Sequence, residues 1–265
     1  MTHQAVATED PKRVVSMNLC TDQLAMMLAG QGQLHSVSYI AADPRASAMV
    51  EEARALRLNH GLAEEIYLMQ PDLVIAGAFS TRATVAMLRR LGIPVVVFEP
   101  AYSLADVRDR ILHMGDVLGR SAEAEAMVAD FDVRLAALQQ HVQTRPRAVL
   151  YYANGYTSGD QTLAGEILTM AGFDNAAADR GYGAGMKMPL EVLAVTNPDA
   201  VITSQPYPGA SRSEEVLAHP VVRNLRDAKG AASITDHDWI CGTPFVLRAI
   251  ERLAQDRETL SGGAE

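Results

Sequence analysis

The chain has 265 residues, 48% of them hydrophobic and 21% charged, with a formal net charge of −9. That balance is that of a soluble globular protein with a full core, in one large domain or two modest ones. The acidic surplus argues against nucleic acid or an anionic membrane surface as the main partner, and no apolar run approaches the ~18 residues of a spanning helix. Two cysteines, Cys20 and Cys241, are too few for a disulfide scaffold or a four-ligand structural zinc.

The segment 1–10 is polar and lacks the apolar core of a secretion signal. It fits a cytoplasmic protein, or one whose signal has been removed. Short β-branched runs and helical stretches then alternate. A strand is predicted at 13–17, a helix at 23–29, a strand at 36–40, and a short amphipathic helix running into Pro71-Asp72. Next come a strand at 73–77, a helix at 81–91, a strand at 95–99 and a helix at 104–118. The second half offers strands at 148–152, 200–203 and 231–235, a weaker one near 173–176, and helices at 163–171, 213–218 and 244–257. Alternating β and α elements imply mostly parallel sheets wrapped by helices.

One phrase occurs twice. Residues 64–75 return as 191–202 at a constant offset of 127, so that Pro71, Asp72, Val74 and Ile75 fall on Pro198, Asp199, Val201 and Ile202. In each copy a helix stops at Pro-Asp, because proline disfavours helix in the residue before it, and a buried strand follows. Two such junctions point to two similar lobes with a ligand held between them. Between the copies, 121–143 contains neither Gly nor Pro. Met127, Phe131, Leu135, Leu138 and Val142 form one apolar stripe, with Ser121 as N-cap and Glu123 and Glu125 at the positive end of the helix dipole. Such a helix is about 33 Å long. It reads as a surface helix or as a rod linking the lobes, and its place between the copies favours the rod. The chain thus divides into an N-terminal α/β lobe at 1–118, a linker with a spanning helix at 119–145 and a C-terminal α/β lobe at 146–265.

The opening Arg13-Val14-Val15-Ser16-Met17-Asn18, the twin Pro-Asp phrases, Leu91-Gly92-Ile93-Pro94-Val95 and the long middle helix carry a resemblance. In order and spacing, over about 12–253, the chain resembles the substrate-binding proteins of bacterial ABC importers for iron–siderophores, haem and cobalamin. The resemblance implies two Rossmann-like lobes with mostly parallel sheets, joined by one long spanning α-helix, with a ligand cleft between them and small closure motions. It implies a monomeric, non-catalytic carrier, periplasmic or lipid-anchored, whose signal peptide is absent from this sequence. The carrier would have no cofactor of its own and would deliver a small metal chelate to a membrane permease and its ATPase. It also implies acidic docking residues on each lobe; Glu214 and Glu215 suit the second lobe, while the matching position of the first carries Arg82.

In parallel α/β lobes the loops after the carboxyl ends of strands form the binding crevice. They nominate Asn18, Leu19, Cys20, Thr21, Tyr39, Phe79, Ser80, Thr81, Arg82 and Tyr102 in the first lobe. In the second they nominate Asn154, Tyr156, Tyr182, Gln205, Tyr207, Trp239 and Cys241. Aromatic residues are 5% of the chain yet gather in these loops, and Tyr and Trp suit a large flat ligand. Alternatively, some of them plug the lobe ends. A trianionic chelate wants several cations. Arg82 is offered there, with Arg180, Lys187 and Arg212 less directly placed. A neutral, bulky cargo fits better: cobalamin or another corrinoid first, a ferric siderophore of hydroxamate type next, haem third with Tyr39, Tyr102 or Tyr182 as axial ligand. Cys20 and Cys241 admit three readings: unpaired buried thiols, an inter-lobe disulfide, or thiolate ligands to a metal in the cargo.

Other signals are weaker. Gly181-Tyr182-Gly183-Ala184-Gly185 lacks the strand–helix context of a dinucleotide loop and reads as a flexible loop. Asp236-His237-Asp238 reads as a turn before Trp239. The competing class is a tetrapyrrole- or metallocluster-handling enzyme, chelatase-like or nitrogenase-like, on paired Rossmann-like lobes. Such enzymes need a His/Glu pair or a set of cysteines, and the chain shows neither.

Overall fold

The computed structural model describes residues 10–138, 142, 145–204, 211–229, 231–234 and 236–262. They fall into two compact units. The first is built on the chain up to Ala101 and on Ala105–Phe131, the second on Tyr102–Leu104 and the chain from Asp132 onward.

The first unit runs through β1 (Val14–Ser16), α1 (Leu19–Leu28), β2 (Leu34–Ser38), α2 (Val50–Arg54), β3 (Arg57–Asn59), α3 (Ala63–Leu68), β4 (Leu73–Gly77), α4 (Arg82–Arg90), β5 (Val95–Phe98) and α5 (Leu104–Leu118). Its five strands are all parallel, in the order β3-β2-β1-β4-β5. The strand order switches direction between β1 and β4, where the loops after the two strands diverge and leave a crevice. Every residue of β1 and β4 is buried, which is why these strands read as unbroken β-branched runs. Val15, Val74, Ile66, Met69 and Leu88 form the heart of one apolar cluster on this sheet.

After α5 a tight turn, with Gly119 at φ +69°, leads to α6 (Ser121–Leu138), and the boundary between the units falls within this helix. Of its predicted stripe, Phe131 and Leu135 are buried and Met127 and Leu138 half-buried while Val133 is exposed, and Val142 lies beyond the helix as described. Ser121 is already helical; its hydroxyl donates to Asp116 at 2.7 Å rather than capping.

The second unit follows with β6 (Arg147–Leu150), β7 (Tyr156–Thr157), α7 (Leu163–Met170), β8 (Asp174–Asn175), β9 (Met186–Lys187), α8 (Leu190–Thr196), β10 (Ala200–Ser204), α9 (Pro220–Lys229), β11 (Ala231–Ile234), α10 (Asp236–Trp239) and α11 (Val246–Gly262). A parallel sheet takes the order β11-β10-β6-β8, and β7 and β9 pair separately and antiparallel. Its switch lies between β6 and β10.

The repeated phrase has one structural meaning in both units. Gln70 and Asn197, each just before the proline, adopt left-handed backbone at φ 51° and 45° and end their helices. The next aspartate then clamps the first strand of its sheet. Asp72 accepts from the Lys12 and Arg13 N–H groups at 2.7 and 3.0 Å, and its own N–H donates to the Arg13 carbonyl. Asp199 accepts from the Arg147 N–H at 2.9 Å and donates to the Arg147 carbonyl at 2.7 Å.

Several predicted boundaries move. α1 starts at Leu19, not residue 23, because Asn18 caps it. The strand placed at 36–40 is two residues earlier, and Tyr39–Ala42 form a 3-10 turn. The helix expected at 213–218 is a single 3-10 turn, Glu215–Ala218, followed by the unanticipated α9. The turn foreseen before Trp239 is the short helix α10.

Candidate functional site

In the first unit the chain leaves β1 at Ser16 and turns at Asn18, whose side-chain oxygen accepts the Cys20 N–H at 3.1 Å and caps α1. The Asn18 side chain lies across Gly77, 2.7–3.0 Å from where a Cβ would stand. A side chain at 77 would displace the cap, so glycine joins the two strands at the switch point. β4 closes in a tight turn: the Ser80 N–H donates to the Gly77 carbonyl at 2.9 Å and the Gly77 N–H to Ser80 Oγ at 3.0 Å. Phe79, at its tip, is 83% exposed. Beyond β2, the half-exposed Tyr39 stacks on His60 with ring centroids 5.1 Å apart. The His60 N–H donates to Glu65 at 2.7 Å, which fixes that base.

Under this edge lies a buried polar network. Ser16 and Thr21 share a hydroxyl bond of 2.8 Å, and Asn59 donates to the Ser16 carbonyl at 2.8 Å and to Ser36 Oγ at 2.9 Å. Asp22, fully buried in the first turn of α1, accepts from the Ser38 N–H at 3.1 Å and from the Ser38 hydroxyl. Its other oxygen has no hydrogen-bond partner among the described residues. Burial pushes the Asp22 carboxyl up to about 7, against the smaller lowering effect of these bonds.

In the second unit a cavity of about 340 Å³ opens at the β6–β10 switch. Tyr152 and Ala153 come from the end of β6, Ser204 from the end of β10, Ser211, Ser213 and Glu214 from the following loop, and Trp239 from α10. The Tyr152 and Trp239 rings are stacked, 5.3 Å apart and 14° from parallel. The Trp239 indole N–H has no partner among the described residues. The loop is pinned beside this pair: the Asn154 N–H donates to the Ser213 carbonyl at 2.6 Å, with Asn154 in left-handed backbone at φ 57°.

The sequence-nominated residues distribute unevenly. Asn18, Phe79, Ser80 and Tyr39 gather at the carboxyl edge of the first sheet, with Leu19 and Cys20 half-buried there and Thr81 and Arg82 exposed where α4 begins. Thr21 is 2% exposed and its hydroxyl is committed to the buried network, so it supports the edge rather than facing a ligand. Tyr102 is exposed and groups with the second unit. Tyr156 sits on β7 with the Lys187 ammonium 5.2 Å from its ring centre, and Tyr182 packs against the core of the second sheet. Gln205 and Tyr207 lie outside the described residues. Cys241 is buried, and both cysteines are in the disulfide form, one of the three readings that the sequence leaves open. Glu214, read as a docking acid, lines the cavity beside Trp239, whereas Glu215 is exposed. Tyr152 escaped notice because it closes a predicted strand. The alternation of the pair Tyr151-Tyr152 was the available signal, Tyr151 turning inward to donate to the Met188 carbonyl at 3.0 Å.

Among the described residues no His, Cys, Asp or Glu cluster is arranged to hold a metal ion, and no helix is long and apolar enough to cross a membrane. The chain is 31% identical over 225 residues to a cobalamin-binding protein of Halobacterium salinarum, a match covering 81% of this chain and 60% of that relative. It is 26% identical over 208 residues to an uncharacterised ABC transporter substrate-binding lipoprotein of Bacillus subtilis, covering 74% of this chain and 64% of that protein. The chain thus spans less than two thirds of the length of these relatives. Its fold is shared with the apo form of a periplasmic haem-binding protein from a Roseiflexus species, at a TM-score of 0.77 and 22% identity over 94% of this chain and 99% of the other. The profile of the periplasmic binding proteins matches residues 14–230, through both units and both Pro-Asp phrases, and the chain belongs to that family.

Proposed function

We propose that the chain is the substrate-binding component of an ABC importer, capturing a corrinoid and handing it to a membrane permease. It would work in the periplasm or anchored by lipid to the outer face of a membrane, with exposed Glu215 among the surfaces offered to the permease. The observation that carries the cargo reading is the stacked Tyr152–Trp239 pair in a cavity at the β6–β10 switch. An aromatic wall at a carboxyl sheet edge suits a large, flat, conjugated ligand. Among the described residues, those lining that cavity include a carboxylate and no cation, which disfavours a highly anionic chelate. The H. salinarum relative is named for cobalamin, which agrees. A ferric hydroxamate ranks second, and haem third.

Trp239 is the single tryptophan of the chain, so its fluorescence reports on the cavity directly. Titration with cyanocobalamin, dicyanocobinamide, a ferric hydroxamate, ferric citrate and haem should give micromolar to nanomolar quenching by the corrinoids, about −8 to −12 kcal/mol. Binding of every chelate no better than about millimolar would overturn the cargo class. In equilibrium dialysis, Trp239→Ala should lose at least about tenfold in affinity, ~1.4 kcal/mol, with an unchanged melting temperature. Undiminished binding would move the site away from this cavity.

A further inference from the structure

We infer that the carboxyl edge of the second unit carries an anion subsite, the Lys187 ammonium at the end of an aromatic row Trp239–Tyr152–Tyr156, and that it takes a single anionic group at the periphery of the cargo. The inference rests on the corrinoid reading and narrows it. The one anion of an amidated corrinoid is the phosphodiester of its nucleotide loop, so the ligand class is the complete, nucleotide-bearing corrinoid. The row follows from backbone register. Ala153–Gly155 form a three-residue connection with Asn154 and Gly155 in left-handed backbone at φ 57° and 73°, as tight hairpins require. It sets Tyr151 against Thr157 in an antiparallel bridge, and Tyr152 against Tyr156, whose carbonyl accepts the Tyr152 N–H at 2.8 Å. β7 then pairs with β9, Tyr156 opposite Lys187. Because successive residues of a strand point to opposite faces, Tyr152, Tyr156 and Lys187 share one face. Tyr151 and Thr157, on the other face, are buried, while Tyr156 is 40% exposed.

Trp239 stacks on Tyr152 at one end of this row, and at the other the Lys187 ammonium stands 5.2 Å from the Tyr156 ring centre. One ring stack and two strand spacings, each about 5 Å, put ~15 Å between indole and ammonium, room for a macrocycle and one arm. Lys187 is exposed and, among the described residues, has the Tyr156 ring and no carboxylate as its partner. The ribbon beneath is fixed: the Tyr151 hydroxyl donates to the Met188 carbonyl at 3.0 Å, the Thr157 hydroxyl to the Leu150 carbonyl at 2.7 Å and the Met188 N–H to the Gly155 carbonyl at 2.9 Å. An ammonium already resting on an aromatic ring loses less freedom on meeting an anion than a lysine in open solvent does. One cation suits one negative charge and falls short of what a trianionic chelate wants. The cavity beside Tyr152, with no cation in its described lining, agrees with that.

The test compares cyanocobalamin, which carries the phosphodiester, with dicyanocobinamide, which lacks the nucleotide loop, by equilibrium dialysis in low salt at pH 7.5 read by corrin absorbance. The unaltered chain should bind cyanocobalamin about fivefold tighter or better. Lys187→Gln should weaken cyanocobalamin about five- to tenfold and dicyanocobinamide less than twofold, with an unchanged melting temperature, and Lys187→Arg should keep the preference. Tyr156→Ala should weaken both corrinoids about threefold, and undiminished binding there removes the row. Equal binding of the two corrinoids by the unaltered chain, or equal losses for both in Lys187→Gln, overturns the inference while leaving the corrinoid reading standing. If neither corrinoid binds, that reading fails. The anion subsite is then judged by whether Lys187→Gln weakens haem, with its free propionates, more than haem dimethyl ester, and the absence of that difference overturns it.

Discussion

Asp22 is a carboxylic acid placed where an ion is poorly tolerated, fully buried with one oxygen held by Ser38 and the other without a hydrogen-bond partner among the described residues. Its carboxyl is lifted from the ordinary 3.8 to about 7, so the folded chain holds this proton more tightly than the unfolded chain does. The associated stability is fully present below about pH 4 and is lost as pH rises through about 7, amounting to about 2 kcal/mol between pH 5 and pH 7. Asp22→Asn keeps an acceptor for Ser38 and cannot ionise. Urea unfolding at pH 5 and pH 8 should show a fall in stability for the unaltered chain that the variant lacks; parallel pH slopes would show that Asp22 does not titrate in this window. Neither the burial of Asp22 nor its partners was legible in Leu19–Gln23, because a lone acid in a first helical turn ordinarily serves the helix dipole at the surface. What buries this one is the passage of β2 alongside, which brings Ser38 onto it.

The elements that announced themselves are those whose cause is local. β4 and β10 follow a proline that stops a helix and are buried throughout or nearly so, which leaves an uninterrupted apolar signature in the chain. The role of the following aspartate was not visible there: its partners are at Lys12, Arg13 and Arg147, far away in sequence. Because a carboxylate accepting backbone N–H groups contributes about 1.5–3 kcal/mol, Asp72→Ala and Asp199→Ala should each destabilise by that order in chemical denaturation. A loss below ~0.5 kcal/mol at both would mean that the clamps are dispensable. β3, β7 and β9 span three or two residues and carry exposed positions. Such strands exist only because a neighbour offers a free edge, and no local periodicity marks them.

At the scale of the whole molecule the two units repeat one plan: a parallel sheet, a Pro-Asp clamp on its first strand, and aromatic residues beyond its carboxyl edge. On the proposed reading, bound cargo stabilises the folded chain by mass action. Cyanocobalamin at about one hundred times its Kd should stabilise the folded chain by about 2.7 kcal/mol, a melting shift of several degrees. Trp239→Ala at the same concentration should show a smaller shift, and the absence of any shift in the unaltered chain would contradict corrinoid binding. The α/β class, the duplication, the apolar stripe of α6 and the position of Phe79, Tyr39 and Trp239 beyond strand ends were readable from residue order, since periodicity, proline punctuation and loop position are local or nearest-neighbour properties. Only the tertiary structure revealed that Thr21 faces inward, that Tyr152 is the partner of Trp239 and that Glu214 joins them. Each of those outcomes depends on strands distant in the chain arriving side by side, and the direction of a side chain past the end of a strand is set by what it meets there.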